Sequence, residues 1–396
     1  MRILFLYNRI PFPLNDGGNL AVHHVAIGLK KLGHEVDIAF LNTLKHYQSP
    51  DAIKAIYNKV YSVDIDTSLE PFALFKSLFE SKPYNVQRFY SKQFEELLRD
   101  IVQKNTYDII QIEGAYMGLY VPLLRRLVNV PIVLRSHNVE HQIWERVSRA
   151  EENPFKRWYL TMLSPKIKSF EAFSAQLYHQ IISITDQDAH YYHKTAPQVP
   201  VTTISAGMVI DPNVLLYQPS DSPAVCFIGS MEWIPNIQGL EWFLERVWPM
   251  VLQFEPKAKC HLAGKGMFDI ESKWKHIQGV VLHGQVPDAK EFIQNHGIFI
   301  VPLLSGGGMR LKMVEGMSLG RPIVATTIGA EGVDYHRNVD VAIADQPEAF
   351  ANAILDLWHH PEKATQLAHN AYSKAKNQYD WDSLVKRFES VYESLL

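Results

Sequence analysis

Residues 301–326 read VPLLSGGGMRLKMVEGMSLGRPIVAT, and the order of residue types in that stretch decides the fold. An apolar run completes a buried strand, Gly306, Gly307 and Gly308 break it, and apolar residues then recur at helical spacing until Gly320. A second apolar run, RPIVATT, follows at once. Strand, glycine loop, helix and strand form the repeating unit of a parallel sheet covered by helices on both faces. Glycines let the backbone approach a ligand closely and aim N–H groups at it, and the helix N-terminus adds positive potential there. Arg310 and Lys312 fall in the expected first turn, where cations are unfavourable for the helix itself. A bound anion reverses that penalty, and arginine offers a fork for phosphate oxygens. Glu315 lies too deep to cap the helix and suits the paired hydroxyls of a sugar ring. A ribose beside a diphosphate meets both demands.

The same grammar runs through the rest of the chain. RILFLY is a buried strand, and the loop PFPLNDGGN, with Gly17, Gly18 and Asn19, leads into a helix that starts near Leu20 and ends at Gly33. HEVDIAFLN, YDIIQIEG, VPIVLRSHN and QIISITD read as strands, with helix-rich segments at about 50–105 and 140–178 between them. ISAGMVIDPNVLLYQPSDSP reads as a linker. Beyond it come strands AVCFIGS, AKCHLAG, GVVLHGQV and GIFIVPLL, the helices NIQGLEWFLERVWPMVLQF and DAKEFIQNH, and a closing amphipathic helix DWDSLVKRFESVYESLL. The expected fold is α/β, with two doubly wound Rossmann-like domains facing each other across a cleft at the carboxyl ends of both sheets. The expected boundaries are residues 1–205 for the first domain, 206–222 for the linker, 223–378 for the second domain and 379–396 for the last helix.

Composition narrows the function classes. A chain of 396 residues with 47% apolar and 20% charged residues builds two packed domains. A net charge of −3 provides no global attraction for nucleic acid, so an anion must be bound locally. Cys226 and Cys260 sit in strand-like apolar runs and read as reduced core residues. The histidines show no HExxH-type spacing, so metal chemistry is not expected. The N-terminal apolar run is short and soon broken by Pro11 and Pro13, unlike a signal peptide, and no run is long enough to span a bilayer. The expected location is cytoplasmic. NPFKRWYLTMLSPKIKSF mixes basic and aromatic residues that suit an anionic membrane face, although its aromatics read first as the core of a helix pair.

GGGMRLKMVEGMSLGRPIVATTIGAEGV resembles the donor-binding segment of the retaining GT-B glycosyltransferases grouped as family 4 (glycosyl transferases group 1). RILFLYNRIPFPLNDGG, VLRSHNVE, ISAGMVIDPNVLLYQP and FIGSMEWIPNIQGLEWF are similar, in order, to that family's opening loop, acceptor-side histidine segment, linker and first C-domain loop. The resemblance implies a GT-B fold whose last helix crosses back to an acceptor-side N-terminal domain. It implies a donor diphosphate against Arg310, Lys312, Gly306, Gly307, Gly308, Met309, Gly229 and Ser230, and a ribose at Glu315. It places the base near Gly264 and Val286, the acceptor near Gly17, Gly18, Asn19 and Asn138, and His137 beside the reacting sugar as a catalytic residue with Glu315. Asn138 and Glu140 adjoin His137, and Glu113, at the end of its strand, faces the same expected cleft. Two departures stand out: the first glutamate of the usual E-x7-E pair is replaced by Gly307, and the usual G-R-x4-K-G loop reads GSMEWIPNIQG, with Ser230 at the Arg position. Arg310 and Lys312 would supply those two charges from the other side of the diphosphate.

The expectation is therefore a glycosyltransferase moving a hexosyl-type sugar from a nucleotide-diphosphate sugar to a glycan or lipid-linked acceptor, with no cofactor, no metal and no nucleic-acid partner. A non-catalytic nucleotide-sugar-binding protein and a nucleotide-sugar epimerase on the same fold remain as alternatives.

Overall fold

The computed structural model describes residues 1–14, 17–68, 77, 83–219, 222–306 and 308–396. The chain divides into a first unit, Met1–Ala206 with Leu384–Leu396, and a second, Gly207–Ser383.

The first unit is built on strands β1 (Arg2–Tyr7), β2 (Glu35–Thr43), β3 (Val60–Ile65), β4 (Ile109–Glu113), β5 (Ile132–Ser136), β6 (Gln180–Ser183) and β7 (Val201–Thr203). All pair in parallel in the order β3-β2-β1-β4-β5-β6-β7. Ile3 to Leu6 are fully buried, as a strand covered on both faces requires. The order reverses between β1 and β4, where a doubly wound sheet opens a crevice at its carboxyl edge. Tyr7 lies opposite Glu113 there, and Glu113 opposite Arg135, so three polar side chains come level at the strand ends.

The helix Gly17–Lys31 takes in Gly17 and Gly18, which the sequence pattern places in the preceding loop. The segment at 50–105 also departs from its helix-rich reading. It contains β3, an edge strand whose VYSVDI alternates apolar and polar residues, and residues 69–76 and 78–82 of it lie outside the described residues. From Leu384 onward the last helix, Trp381–Glu393, belongs to this unit. It rests on Gly28, where a Cβ would stand 2.3 Å from Val385, and it buries Phe388 and Tyr392 completely.

The second unit carries β8 (Ala224–Ile228), β9 (Lys259–Ala263), β10 (Val280–Gly284), β11 (Ile298–Val301), β12 (Ile323–Ala325) and β13 (Ala342–Ile343), parallel in the order β10-β9-β8-β11-β12-β13. Its order reverses between β8 and β11, and the glycine loop of residues 301–326 follows β11. The helical stretch read as continuous from Asn236 to Phe254 widens to a π-helical turn at Phe243–Val247. Pro249 follows directly; it lacks an N–H and crowds the preceding carbonyls, which the wider turn accommodates. The linker-like stretch is packed rather than loose: Tyr217 is buried, its N–H donates to the Gly320 carbonyl, and Arg321 lies over its ring. Cys226 and Cys260 are buried free thiols, and burial pushes both well above the ordinary thiol range.

Candidate functional site

Each unit gathers polar side chains where its strand order reverses. In the first unit the centre is Glu113, fully buried at the end of β4. Its Oε2 lies 2.6 Å from His137 Nε2, its Oε1 accepts from Gln111 Nε2 at 2.5 Å and stands 3.7 Å from Arg135 Nη1. Burial alone pushes this carboxyl up, but Arg135, then His137 and Gln111, outweigh it and hold Glu113 below the usual carboxylate range. Gln111 is tied in turn to the hydroxyl of Tyr392, and Phe388 lies under the Arg135 guanidinium, 5.0 Å from ring to charge.

His137 is the member of this group that reaches solvent, with a side chain 13% exposed against none for Glu113 and Arg135. Because Glu113 engages Nε2, the ring presents Nδ1 outward, and Tyr7 stacks along it at 6.1 Å. Asn19 is buried: its Oδ1 accepts from the Tyr7 hydroxyl at 3.3 Å and its Nδ2 donates to the Pro13 carbonyl. Asn138 contributes a carbonyl that accepts from Ser136 Oγ. Glu140 opens the helix Glu140–Ala150 beside Glu171, whose carboxylate caps that helix by accepting from the Glu140 and His141 N–H groups. Burial and the neighbouring Glu171 push Glu140 up to about 7, against the hydrogen bond it accepts from Tyr116.

In the second unit the centre is Lys312, second residue of the helix Leu311–Ser318. Its Nζ donates to Asn236 Oδ1 at 2.8 Å, lies 3.4 Å from the Ile228 carbonyl and stands 4.3 Å over the Phe227 ring. Burial, then the neighbouring Arg310 charge, lowers this ammonium to about 7, while Glu315 opposes the shift. Arg310 does not lie in the first turn as expected. It is the residue before the helix, with Nε donating to the Ile328 carbonyl and Nη2 paired with Glu331 at 3.1 Å. Trp233 stacks 5.7 Å from its guanidinium, and Gly306 lies so close that a Cβ there would stand 2.9 Å from Nη2.

Gly229 and Gly264 exist for close approach. A Cβ on Gly264 would sit 1.8 Å from the Gly229 carbonyl oxygen, and one on Gly229 would sit 2.8 Å from Lys312 Nζ. Ser230 offers its carbonyl to Asn236 and its hydroxyl to the Glu232 N–H. Met309 and Val286 pack against an apolar cluster, and the Met309 carbonyl accepts from the Leu311 N–H. Gly308 is left-handed at φ 78°, and Gly307 lies outside the described residues. No described hydrogen bond holds the half-buried Glu315 carboxylate. Burial, then Asp288, raises its proton affinity, while Lys312 and Lys290 oppose.

Sequence reasoning missed the supporting groups Gln111, Arg135 and Tyr7, which carry no motif and become a set only through strand register. It also missed three half-buried histidines, His261, His283 and His296, which the structure brings together from three separate elements. In the helix Pro154–Ala175 the aromatics are not core: Phe155, Trp158 and Phe173 are 82%, 56% and 61% exposed.

Known proteins share the fold of both units. The model described as Glycosyltransferase Family 4 matches residues 15–211, and that described as Glycosyl transferases group 1 matches residues 222–360. A Klebsiella pneumoniae protein described as an "uncharacterized 44.6 kDa protein in cps region" is 24% identical over 99% of each chain. Sucrose-phosphate synthase from Thermosynechococcus elongatus has a TM-score of 0.70 at 16% identity, covering 100% of this chain and 99% of its own. Anabaena HepE, solved in complex with UDP-glucose, has a TM-score of 0.67 at 13% identity over 100% of each chain. The chain belongs to the group 1, family 4 glycosyltransferases and has their GT-B fold.

Proposed function

We propose that this glycosyltransferase retains anomeric configuration while moving a hexosyl-type sugar from a nucleotide-diphosphate donor to a glycan or lipid-linked acceptor hydroxyl. The observation that carries this reading is the set of Arg310, Lys312 and Glu315 around the glycine loop, two cations for a diphosphate and a carboxylate without a described hydrogen bond for ribose hydroxyls. The Arg310 and Lys312 charges neutralise the diphosphate as it departs, so the protein itself supplies electrostatic stabilisation of the leaving group. His137, fixed through Nε2 by Glu113, orients the donor sugar with Nδ1. The acceptor oxygen bonds to the anomeric carbon on the face from which the diphosphate leaves, and its proton passes to a diphosphate oxygen. The UDP-glucose complex of HepE supports a hexose donor, and the cps-region description of the Klebsiella relative supports a cell-surface polysaccharide role.

A panel of nucleotide sugars, assayed for released nucleotide with and without candidate acceptors, tests this. Slow hydrolysis of one donor, accelerated by an acceptor and yielding a product of unchanged anomeric configuration, is expected. Binding without turnover on every combination would overturn transfer, and interconversion of two free nucleotide sugars would point to epimerisation. Gly229→Ala tests the diphosphate seat. The new methyl group pushes on Lys312 Nζ and Asn236 Nδ2, so calorimetric titration is expected to show UDP binding about tenfold weaker with folding intact.

The same reading extends to a membrane surface. No described helix is long and apolar enough to cross a bilayer. Phe155, Trp158 and Met162 nevertheless form an exposed i, i+3, i+7 stripe on one helix, beside exposed Lys156 and Arg157. Cosedimentation with vesicles containing anionic lipid is expected to exceed that with neutral vesicles, to fall with salt and to drop in a Phe155→Ser, Trp158→Ser variant. Equal partitioning to neutral vesicles, or an unaffected variant, would remove this extension.

A further inference from the structure

The three histidines of the second unit take part in none of the hydrogen bonds described above for the candidate site. His261 stands on β9 and His283 on the neighbouring β10, at the point where the β9–β10 register slips between Leu282 and Gly284. Such a bulge re-aims a side chain. His296 follows the helix Ala289–Asn295. Their ring centroids are 5.2, 4.2 and 5.1 Å apart, and one ring nitrogen from each lies within 4.8 Å of the other two. His261 Nδ1 and His283 Nε2 are already 2.9 Å apart.

His296 Nδ1 lies 2.6 Å from the Phe292 carbonyl. A carbonyl only accepts, so Nδ1 carries the proton and Nε2 keeps its lone pair. This is the arrangement by which metal-binding histidines are usually oriented, with the non-ligating nitrogen held by a backbone carbonyl. Packing alone would not need three imidazoles tilted against one another, because apolar rings of that size would fill the space with no polar atoms to satisfy.

We propose that His261, His283 and His296 form a three-imidazole site for a divalent transition metal, Zn²⁺ foremost, with a fourth position left for water. Zn–N bonds of about 2.0–2.1 Å in a tetrahedral site place ligand nitrogens roughly 3.3 Å apart. The close pair opens slightly, and the third ring closes by about 1 Å or more through side-chain rotation, which half-buried rings permit. Imidazole donors suit Zn²⁺ and its late first-row neighbours rather than Mg²⁺ or Ca²⁺. The metal would clip β9, β10 and the helix Ala289–Asn295 together. Those strands end at the backbone bond from Gly264 N–H to Gly284 O, and the other end of that helix carries Asp288 and Lys290, whose charges reach Glu315. Its role is thus to stiffen one side of the Glu315 pocket, not to activate the leaving group.

The test uses the full chain, free of any affinity tag and stripped with a chelator. Titration with Zn²⁺ alone is expected to show one equivalent bound at micromolar affinity or better, with a raised unfolding temperature. His283→Gln and His296→Gln are each expected to weaken binding by well over tenfold, while His276→Gln, an exposed histidine outside the cluster, leaves it unchanged. Substitution of Co²⁺ into the wild-type chain gives a second readout that no variant can obscure, the intense visible absorption of a four-coordinate site. Failure of the wild type to take up Zn²⁺ at tens of micromolar, undiminished binding by either variant, or a weak six-coordinate Co²⁺ spectrum overturns the proposal.

Discussion

Lys312→Met is expected to lower kcat/KM by about 10²–10³-fold, the usual loss when one preorganised group facing developing charge is removed. Methionine keeps an unbranched stem against Phe227 and removes an ammonium that burial already disfavours, so the fold is not expected to suffer. A loss of turnover with unchanged unfolding temperature therefore reports on the anion seat. The pH dependence sharpens the point. In the free protein this ammonium titrates near 7 instead of 10.5, because burial and Arg310 oppose its charge. A bound diphosphate restores the charge and raises the affinity for that proton. Binding must then take up a proton above pH 7, and affinity must fall as pH rises, by up to tenfold per unit. A nucleoside diphosphate has finished titrating its own phosphate in that range, since such groups ionise near pH 6. Calorimetry with UDP between pH 7 and 9, in buffers of different ionisation enthalpy, checks the sign. Affinity that is flat from pH 7 to 9, with no proton uptake, would show that Lys312 does not touch the diphosphate.

The second large effect concerns Glu113, a positioning residue for His137. Glu113→Gln removes the carboxylate charge that stands 3.7 Å from the fully buried Arg135 guanidinium, and breaking one side of a buried pair costs about 3–5 kcal/mol. For a domain of this size that lowers the unfolding midpoint on the order of 10 °C. Turnover is expected to fall by about 10² or more, because the group that holds the imidazole in one orientation loses its charge. The two effects separate in a double variant. Adding Arg135→Met removes the guanidinium that faced the lost carboxylate and is expected to recover much of the stability while turnover stays low. If the double variant regains both, Glu113 serves the fold and not the reaction. Since the folded Glu113 carboxyl titrates below its ordinary 4.5, its stabilisation is complete above that pH and is lost as pH falls through the folded value.

Much of the fold is legible in the order of residue types alone. Buried strands announce themselves as unbroken apolar runs, so β1, β2, β4, β5, β6, β8, β9, β10, β11 and β12 can be read directly. β3, β7 and β13 cannot. They are edge strands or short ones, with alternating or brief patterns that local sequence shares with helices and loops. The glycine loop, Lys312 and Glu315 are legible because they sit within one continuous segment whose chemistry is local. Arg310 is legible as a charge but not as an ion pair, since Glu331 reaches it from beyond the next strand.

What the sequence determined by itself was therefore the strand–helix alternation, the family and the glycine loop with its neighbouring charges, all of them written in residues close along the chain. Tertiary structure alone decided which groups support that chemistry. Glu113, Arg135 and Tyr7 become one cluster through parallel register, which pairs residues 22 to 106 positions apart at the same strand edge. Phe388 and Tyr392 join it only because the last helix belongs to the first unit. His261, His283 and His296 meet through a bulge and a helix end, and the exposure of Phe155 and Trp158 depends on what packs nearby rather than on their own type. Spacing along a chain encodes local periodicity, whereas burial, register and charge pairing are properties of neighbours that the folded chain supplies from far away.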